Sequence, residues 1–298
     1  AAGLRRVAGG LAAALTLALG AGPAAAGASE PVSTEALSAR LLTAEAAVAP
    51  GTRELSAGIE IDLVDGWKTY WRSPGEVGFP PSVDWSASEN VAATEFLWPA
   101  PHRFRAFGIE NYGYAEEVVF PVRVTLEEPG APARLAATVR LLACSTICVP
   151  QEVDLTVALP AGGGGVDPAP AARIADWAGR VPDDGAASGF SAGAAGLSSD
   201  GGALVVTARS ETPFDVPEIF PETADAAAFG APEIRLDDGG RLLWAKLPVT
   251  SPDAPRGPLD LTLVDGSRAA TFEGIALDGP APPAPGPGEA RADRKSVV

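Results

Sequence analysis

The sequence predicts an all-β protein: two antiparallel β-sandwich domains joined by a Gly/Pro-rich linker and one short helix. Three observations carry this. Apolar and polar residues alternate over runs of five or more positions, the pattern of half-buried strands. Gly- and Pro-rich turns separate those runs, as in packed antiparallel sheets. A break between Pro160 and about Asp200 divides the strand signals into two blocks.

Taken in chain order, residues 1–26 read as a secretory signal peptide. Arg5 and Arg6 precede an apolar run of about 14 residues, and Ala24-Ala25-Ala26 supply the small residues of a cleavage site. The run is shorter than the ~20 residues a membrane-spanning helix needs, so no stable membrane insertion is expected. Without the leader, 20 basic residues face 38 acidic ones, a net charge near −18. Such a surface repels nucleic acid and anionic lipid, so neither is expected as a partner.

Residues 33–160 form the first predicted sandwich. In "ELSAGIEIDLV" the apolar face is Leu55, Ala57, Ile59, Ile61 and Leu63; in "VVFPVRVTL" it is Val118, Phe120, Val122, Val124 and Leu126. "RLAATVRLLA" aligns Leu135, Ala137, Val139 and Leu141, and "EVDLTVAL" aligns Val153, Leu155, Val157 and Leu159. Residues 161–200 are expected to be a linker. "PAGGGGVDPAPAA" is its flexible start, "AARIADWAGRV" a short helix, and "GAASGFSAGAAGLSSDGG" a loose, low-complexity stretch. The second sandwich is predicted over 201–278. One hairpin turns around Asp237-Asp238-Gly239-Gly240 and another at Asp265-Gly266. The Pro-rich, then charged, tail 279–298 is expected to be disordered.

Most catalytic chemistries lack their residues. His102 is the sole histidine, and "PAPHRFRAFG" does not resemble the surroundings of a nucleophile–base pair. Zinc needs several nitrogen, sulfur or carboxylate ligands at suitable spacing. Copper(I) favours methionine and cysteine sulfur, and the chain has no methionine. No cofactor or resident metal is expected. The pairs Glu116-Glu117, Asp183-Asp184 and Asp237-Asp238 fall on opposite faces of any strand that contains them, so they read as solvated charge.

The stretch "LACSTICVP" holds the only two cysteines, Cys144 and Cys148. Along a straight strand they would be ~13 Å apart, whereas a disulfide usually has its Cα atoms about 4.4–6.8 Å apart. If they pair, the chain must coil at Ser145-Thr146-Ile147 and cap a hairpin-like corner. A loop this small removes little unfolded-state entropy, so as a staple it is inefficient. The parity of the preceding strand puts Cys144 on the outward face with Thr138 and Arg140. Three readings stay open on the residues alone: a redox pair, a structural disulfide, or a thiol pair that holds copper(I). Two aromatic stretches complete the candidates, "DGWKTYWRSPGEVGFPPSVDW" and the tyrosine-bearing "FGIENYGYAEEVVF".

In order, "DGWKTYWRSPG", "WPAP", "ENYGYAEEVVFPVRV" and "CSTICVPQEV" resemble the N-terminal periplasmic domain of the DsbD thiol–disulfide reductases, and more closely the ScsB-like and stand-alone members of that family. The resemblance spans roughly Glu54 to Pro160. It implies an immunoglobulin-like sandwich in which Cys144 and Cys148 shuttle electrons. It makes Glu110, Asn111, Tyr112, Gly113 and Tyr114 a cap loop whose tyrosines cover the sulfurs, and Trp67 and Tyr70 aromatics that line the site. It implies a transmembrane thiol reductase or a thioredoxin-like protein as electron donor, and oxidised periplasmic proteins as clients. Cytochrome c maturation, disulfide isomerase upkeep and copper tolerance are the processes it suggests. Departures exist: DsbD itself separates its cysteines by five residues, and its cap carries phenylalanine where Asn111 or Tyr112 stands. No membrane reductase or thioredoxin-like domain lies within these residues, so electrons are expected from another polypeptide.

Overall fold

The computed structural model describes residues 27–106 and 108–286. The leader read at 1–26 and the end of the tail, 287–298, lie outside the described residues. The described residues fold as two antiparallel sandwiches and one helix, the predicted architecture. The first sandwich comprises β1 (Val32–Ser33), β2 (Leu37–Thr43), β3 (Glu54–Leu63), β4 (Lys68–Gly75), β5 (Ser82–Asp84) and β6 (Ala93–Phe96). It continues with β7 (His102–Ala106), β8 (Ile109–Ala115), β9 (Glu117–Thr125), β10 (Ala133–Cys144) and β11 (Cys148–Leu159). One sheet runs β1-β2-β3-β9-β6; the other runs β11-β10-β4-β8-β7, with β5 also paired to β10.

The alternation read from the sequence is the alternation of burial. Leu55, Ala57, Ile59 and Ile61 of β3, Val118 to Val124 of β9, and Leu135 to Leu141 of β10 all face the core. Val119 breaks the alternation because it is buried too, under α1 (Pro168–Ala178). Pro168 begins this helix, where its missing N–H costs nothing, and the Asp167 carboxylate caps it by accepting from the Ala169 N–H. Ile174 and Trp177 are its buried residues and join the core of the first sandwich.

The second sandwich comprises β12 (Phe190–Leu197), β13 (Ala203–Ser210), β14 (Glu218–Thr223), β15 (Glu233–Asp237), β16 (Leu242–Pro248), β17 (Leu259–Asp265) and β18 (Arg268–Ile275). Its sheets run β12-β13-β16-β15 and β14-β17-β18. Both predicted hairpins are present, β15–β16 and β17–β18.

Three expectations for the connecting segments need correction. The Gly-rich start of the linker is pinned to the first sandwich, with Gly162 N–H donating to Val48 O and Ala46 N–H donating to Gly165 O. The stretch read as loose contains β12, an edge strand of small residues whose ladder with β13 shifts register between Ala192 and Ala195. Its glycines read locally as breakers, but backbone pairing needs no side chains. The tail is ordered as far as it is described. Pro280 bridges Leu197, and the Trp244 indole N–H donates to Pro282 O at 3.1 Å.

The two sandwiches share a core. Phe220 of β14 and Val264 of β17 pack into the first hydrophobic cluster, not into that of their own domain.

Candidate disulfide site

β10 and β11 pair in register along their whole length, from Ala133 with Leu159 to Cys144 with Cys148. A hairpin of this register brings its last residues side by side, which is how a four-residue separation becomes bonding distance. Ser145-Thr146-Ile147 forms the turn, with the Ser145 N–H donating to Ile147 O at 2.8 Å. The Cα atoms of the two cysteines are 4.0 Å apart and the sulfurs are bonded at 2.10 Å. The sulfurs are not equivalent. Cys144 is 9% exposed, while Cys148 lies among the exposed turn residues. A thiolate arriving from solvent therefore meets Cys148 first, and Cys144 is the sulfur placed to leave.

Cys144 pairs across its other edge with Lys68 of β4. Residues of one strand alternate faces, so Lys68 and Tyr70 share the face that carries Cys144. The Tyr70 hydroxyl lies 3.3 Å from Cys144 Sγ and 3.9 Å from Cys148 Sγ. Disulfide sulfur has no hydrogen to give, so the phenol donates. Tyr70 is itself only 3% exposed. Burial pushes its ionisation above the ordinary phenol range, so it is a neutral donor at any pH where thiols exchange.

Two groups hold that ring. Gly78 lies against it so closely that a Cβ there would stand 2.5 Å from the ring edge, and its φ of +121° also suits glycine alone. Phe104 of β7 packs on Tyr70 with centroids 6.2 Å apart, and the Lys68 ammonium lies 5.7 Å from the centre of the Phe104 ring. Thr69 ties β4 to the cysteine hairpin through its hydroxyl, which donates to Leu142 O at 3.1 Å. Around the sulfurs the exposed surface includes Ile147, in the turn between them, and Val77 and Phe79, which flank Gly78.

The residues named from sequence separate into two sets. Cys144, Cys148 and Tyr70 meet. Glu110, Asn111, Tyr112, Gly113 and Tyr114 do not form a loop; they are the body of β8, paired to β4 on one side and β7 on the other. Gly113 stands opposite Tyr70 in the ladder, which turns Tyr112 and Tyr114 to the opposite face. The Tyr112 ring packs on Phe220 at 5.0 Å, and Tyr114 packs on Phe120 and donates to Pro99 O. Glu110 is ion-paired with Arg103 and Arg105. The tyrosines thus build the interior behind the site and do not cover its sulfurs. Trp67 packs against the core of the first sandwich. The sequence reading missed Gly78, Phe104 and Thr69. A glycine between exposed apolar residues was a usable signal for the first; nothing local marks the other two.

The family model described as "Thiol:disulfide interchange protein DsbD, N-terminal" matches residues 38–160. A second, described as "Domain of unknown function (DUF8393)", matches residues 180–279. A search of curated proteins finds no match. Among solved structures, the N-terminal periplasmic domain of ScsB from Proteus mirabilis superposes with a TM-score of 0.68 at 22% identity, covering 85% of this chain and 99% of that one. The DsbD N-terminal domain of Neisseria meningitidis, in its reduced form, is also found, at 13% identity and a TM-score of 0.24, covering 42% of this chain and 88% of that one. The ScsB likeness extends the shared fold across both sandwiches. The sandwich that carries Cys144 and Cys148, residues 38–160, is thus the part of the chain that the family model of DsbD N-terminal domains matches.

Proposed function

We propose that the chain is a periplasmic thiol–disulfide exchange module that relays electrons through Cys144 and Cys148. The observation that carries this reading is the asymmetry of the pair: one cysteine exposed, the other nearly buried with its sulfur hydrogen-bonded to a neutral phenol. A structural cystine needs neither feature. A donor thiolate attacks Cys148 Sγ and forms a mixed disulfide, and the electron pair of the broken bond leaves on Cys144 Sγ, where the Tyr70 O–H meets it. A second donor thiol then attacks the donor sulfur of the mixed disulfide. The donor leaves oxidised and Cys148 leaves as a thiolate. In the forward half-reaction Cys148 attacks a client disulfide, and Cys144 displaces the reduced client and restores the Cys144–Cys148 bond. Two electrons pass, and the module returns to its starting state.

The donor we infer is a transmembrane thiol reductase or a thioredoxin-like protein, and the clients are oxidised periplasmic proteins. Cytochrome c maturation, disulfide isomerase upkeep and copper tolerance are the settings where such a relay fits. Trapping in cells tests this. Cys144→Ala keeps the attacking sulfur but removes the resolving one, so it should accumulate covalent complexes that reductant releases. Cys148→Ala should accumulate few. Equal yields from both variants, or none from either, would remove the relay.

A further inference from the structure

The second sandwich has no assigned role, and its contacts with the first lie directly behind the disulfide. The ladder between β4 and β8 runs from Lys68 with Ala115 to Tyr70 with Gly113 and resumes only at Gly75 with Asn111. Residues 71–74 therefore oppose a single residue of β8 and have no regular partners in the sheet. Such bulges re-aim side chains and loosen the strand locally. Within this irregular stretch, Trp71 and Arg72 are engaged by the second domain.

Trp71, fully buried, meets Phe220 of β14 edge-to-face at 5.9 Å. Arg72 grips Glu222 of β14 through both Nε and Nη2, the latter at 2.7 Å, while its guanidinium covers the Trp71 ring at 4.5 Å. Arg103 of β7 donates to Ile219 O at 2.7 Å and lies over the rings of Tyr112 and Phe220. Phe220 thus fills a socket made by Trp71, Tyr112 and Arg103, and it is counted in the first core, not the second. Charge pairs also cross the joint: Arg72 binds Glu222, and Arg103, which is paired with Glu110 of its own domain, lies beside the half-buried Glu218.

We propose that the second sandwich is a brace that sets the reactivity of the disulfide. By holding Trp71 and Arg72, it fixes the strand position of the adjacent Tyr70 and keeps the phenol on Cys144. Phe220 and Glu222 are then positioning residues that touch neither sulfur. This inference rests on the exchange reading above, and its test separates the two.

The test uses the full chain, oxidised, with reduced glutathione as the attacking thiol and the rate read by stopped flow. Variants are Phe220→Leu, Glu222→Gln and Tyr70→Phe, alone and with Tyr70→Phe combined with each of the others. Far-ultraviolet circular dichroism confirms that each is folded, and Glu222→Gln carries the test if Phe220→Leu is not. The brace predicts that Phe220→Leu or Glu222→Gln slows reduction about two- to fivefold, part of the loss from removing the phenol. It also predicts that neither slows it further once Tyr70→Phe is present, since coupled residues fail to add. A wild-type rate in the brace variants beside a slow Tyr70→Phe overturns the brace and leaves the exchange site standing. Full additivity overturns it as well. A wild-type disulfide inert to glutathione and to protein dithiols overturns the exchange reading and the brace together.

Discussion

Replacing Tyr70 with phenylalanine removes one oxygen and leaves the ring that Gly78 and Phe104 hold. In the oxidised protein that oxygen donates to Cys144 Sγ at 3.3 Å. Once the disulfide opens, the same sulfur is an anion, and a hydrogen bond to a charged group is worth about 1.5–3 kcal/mol. Losing the phenol removes a donor that favours the charged form, so it should raise the pKa of the Cys144 thiol. A leaving sulfur of lower pKa leaves faster; with about half of the 1.5–3 kcal/mol felt in the transition state, reduction by a small thiol should slow roughly three- to tenfold without the phenol. Stopped-flow reduction by glutathione across a pH series measures the rate, and the ultraviolet absorbance of the thiolate in the reduced protein measures the pKa. Because burial raises the Tyr70 ionisation, the phenol stays protonated over that series and the ratio of rates should not vary with pH. An unchanged rate together with an unchanged thiol pKa would refute the role given to the hydroxyl.

Other perturbations follow from the same geometry. Gly78→Ala places a methyl inside the Tyr70 ring at a backbone angle that suits glycine. It should cost about 1–3 kcal/mol of stability and reproduce the slow exchange of Tyr70→Phe; denaturant unfolding and glutathione kinetics report the two effects. Reducing the disulfide should cost only about 2 kcal/mol or less, since the loop it closes is so short, and paired unfolding curves of oxidised and reduced protein check this. Arg173 holds the Glu117 carboxyl below the usual carboxylate range, chiefly by hydrogen bonding. A depressed folded-state pKa stabilises above the unfolded value of 4.5, and that contribution is lost as pH falls through the lowered one. Glu117→Gln should therefore flatten the acid limb of stability below about pH 5 and leave exchange rates unchanged. Thermal unfolding across that range measures it.

Much of the fold was legible because sandwich strands advertise themselves by alternation. Leu55 to Leu63, Val118 to Val124, Leu135 to Leu141 and Val153 to Leu159 each have one face in the core and carry that fact locally. The strands that were missed lack the cue. β12 is Gly, Ala and Ser between Phe190 and Leu197, held by its ladder to β13. β8 reads "IENYGYA", yet it is an interior strand of its sheet because both neighbours pair with it. The cap-loop expectation fell with that misreading. Once those residues are a strand, Tyr112 and Tyr114 must share one face and Gly113 the other.

The site was partly legible for a similar reason. The cysteine corner followed from spacing, because a straight strand holds residues four apart too far from each other to bond, so a pair there requires the chain to coil between them. Tyr70 came through family resemblance. Its hold by Phe104 and by the Gly78 backbone depends on strands that meet only in the folded sheet. The contacts of Trp71 and Arg72 with Phe220 and Glu222 span about half of the chain, and no local pattern encodes such a pairing.

The reduction potential of the Cys144–Cys148 pair tests the central claim most directly. Equilibration with glutathione buffers, acid quenching and mass measurement of alkylated thiols give it without any partner protein. An exposed sulfur beside a phenol-stabilised leaving group predicts a moderate value, one that the buffers can move between oxidised and reduced forms. Structural disulfides typically lie below about −300 mV, and a value there would contradict the account.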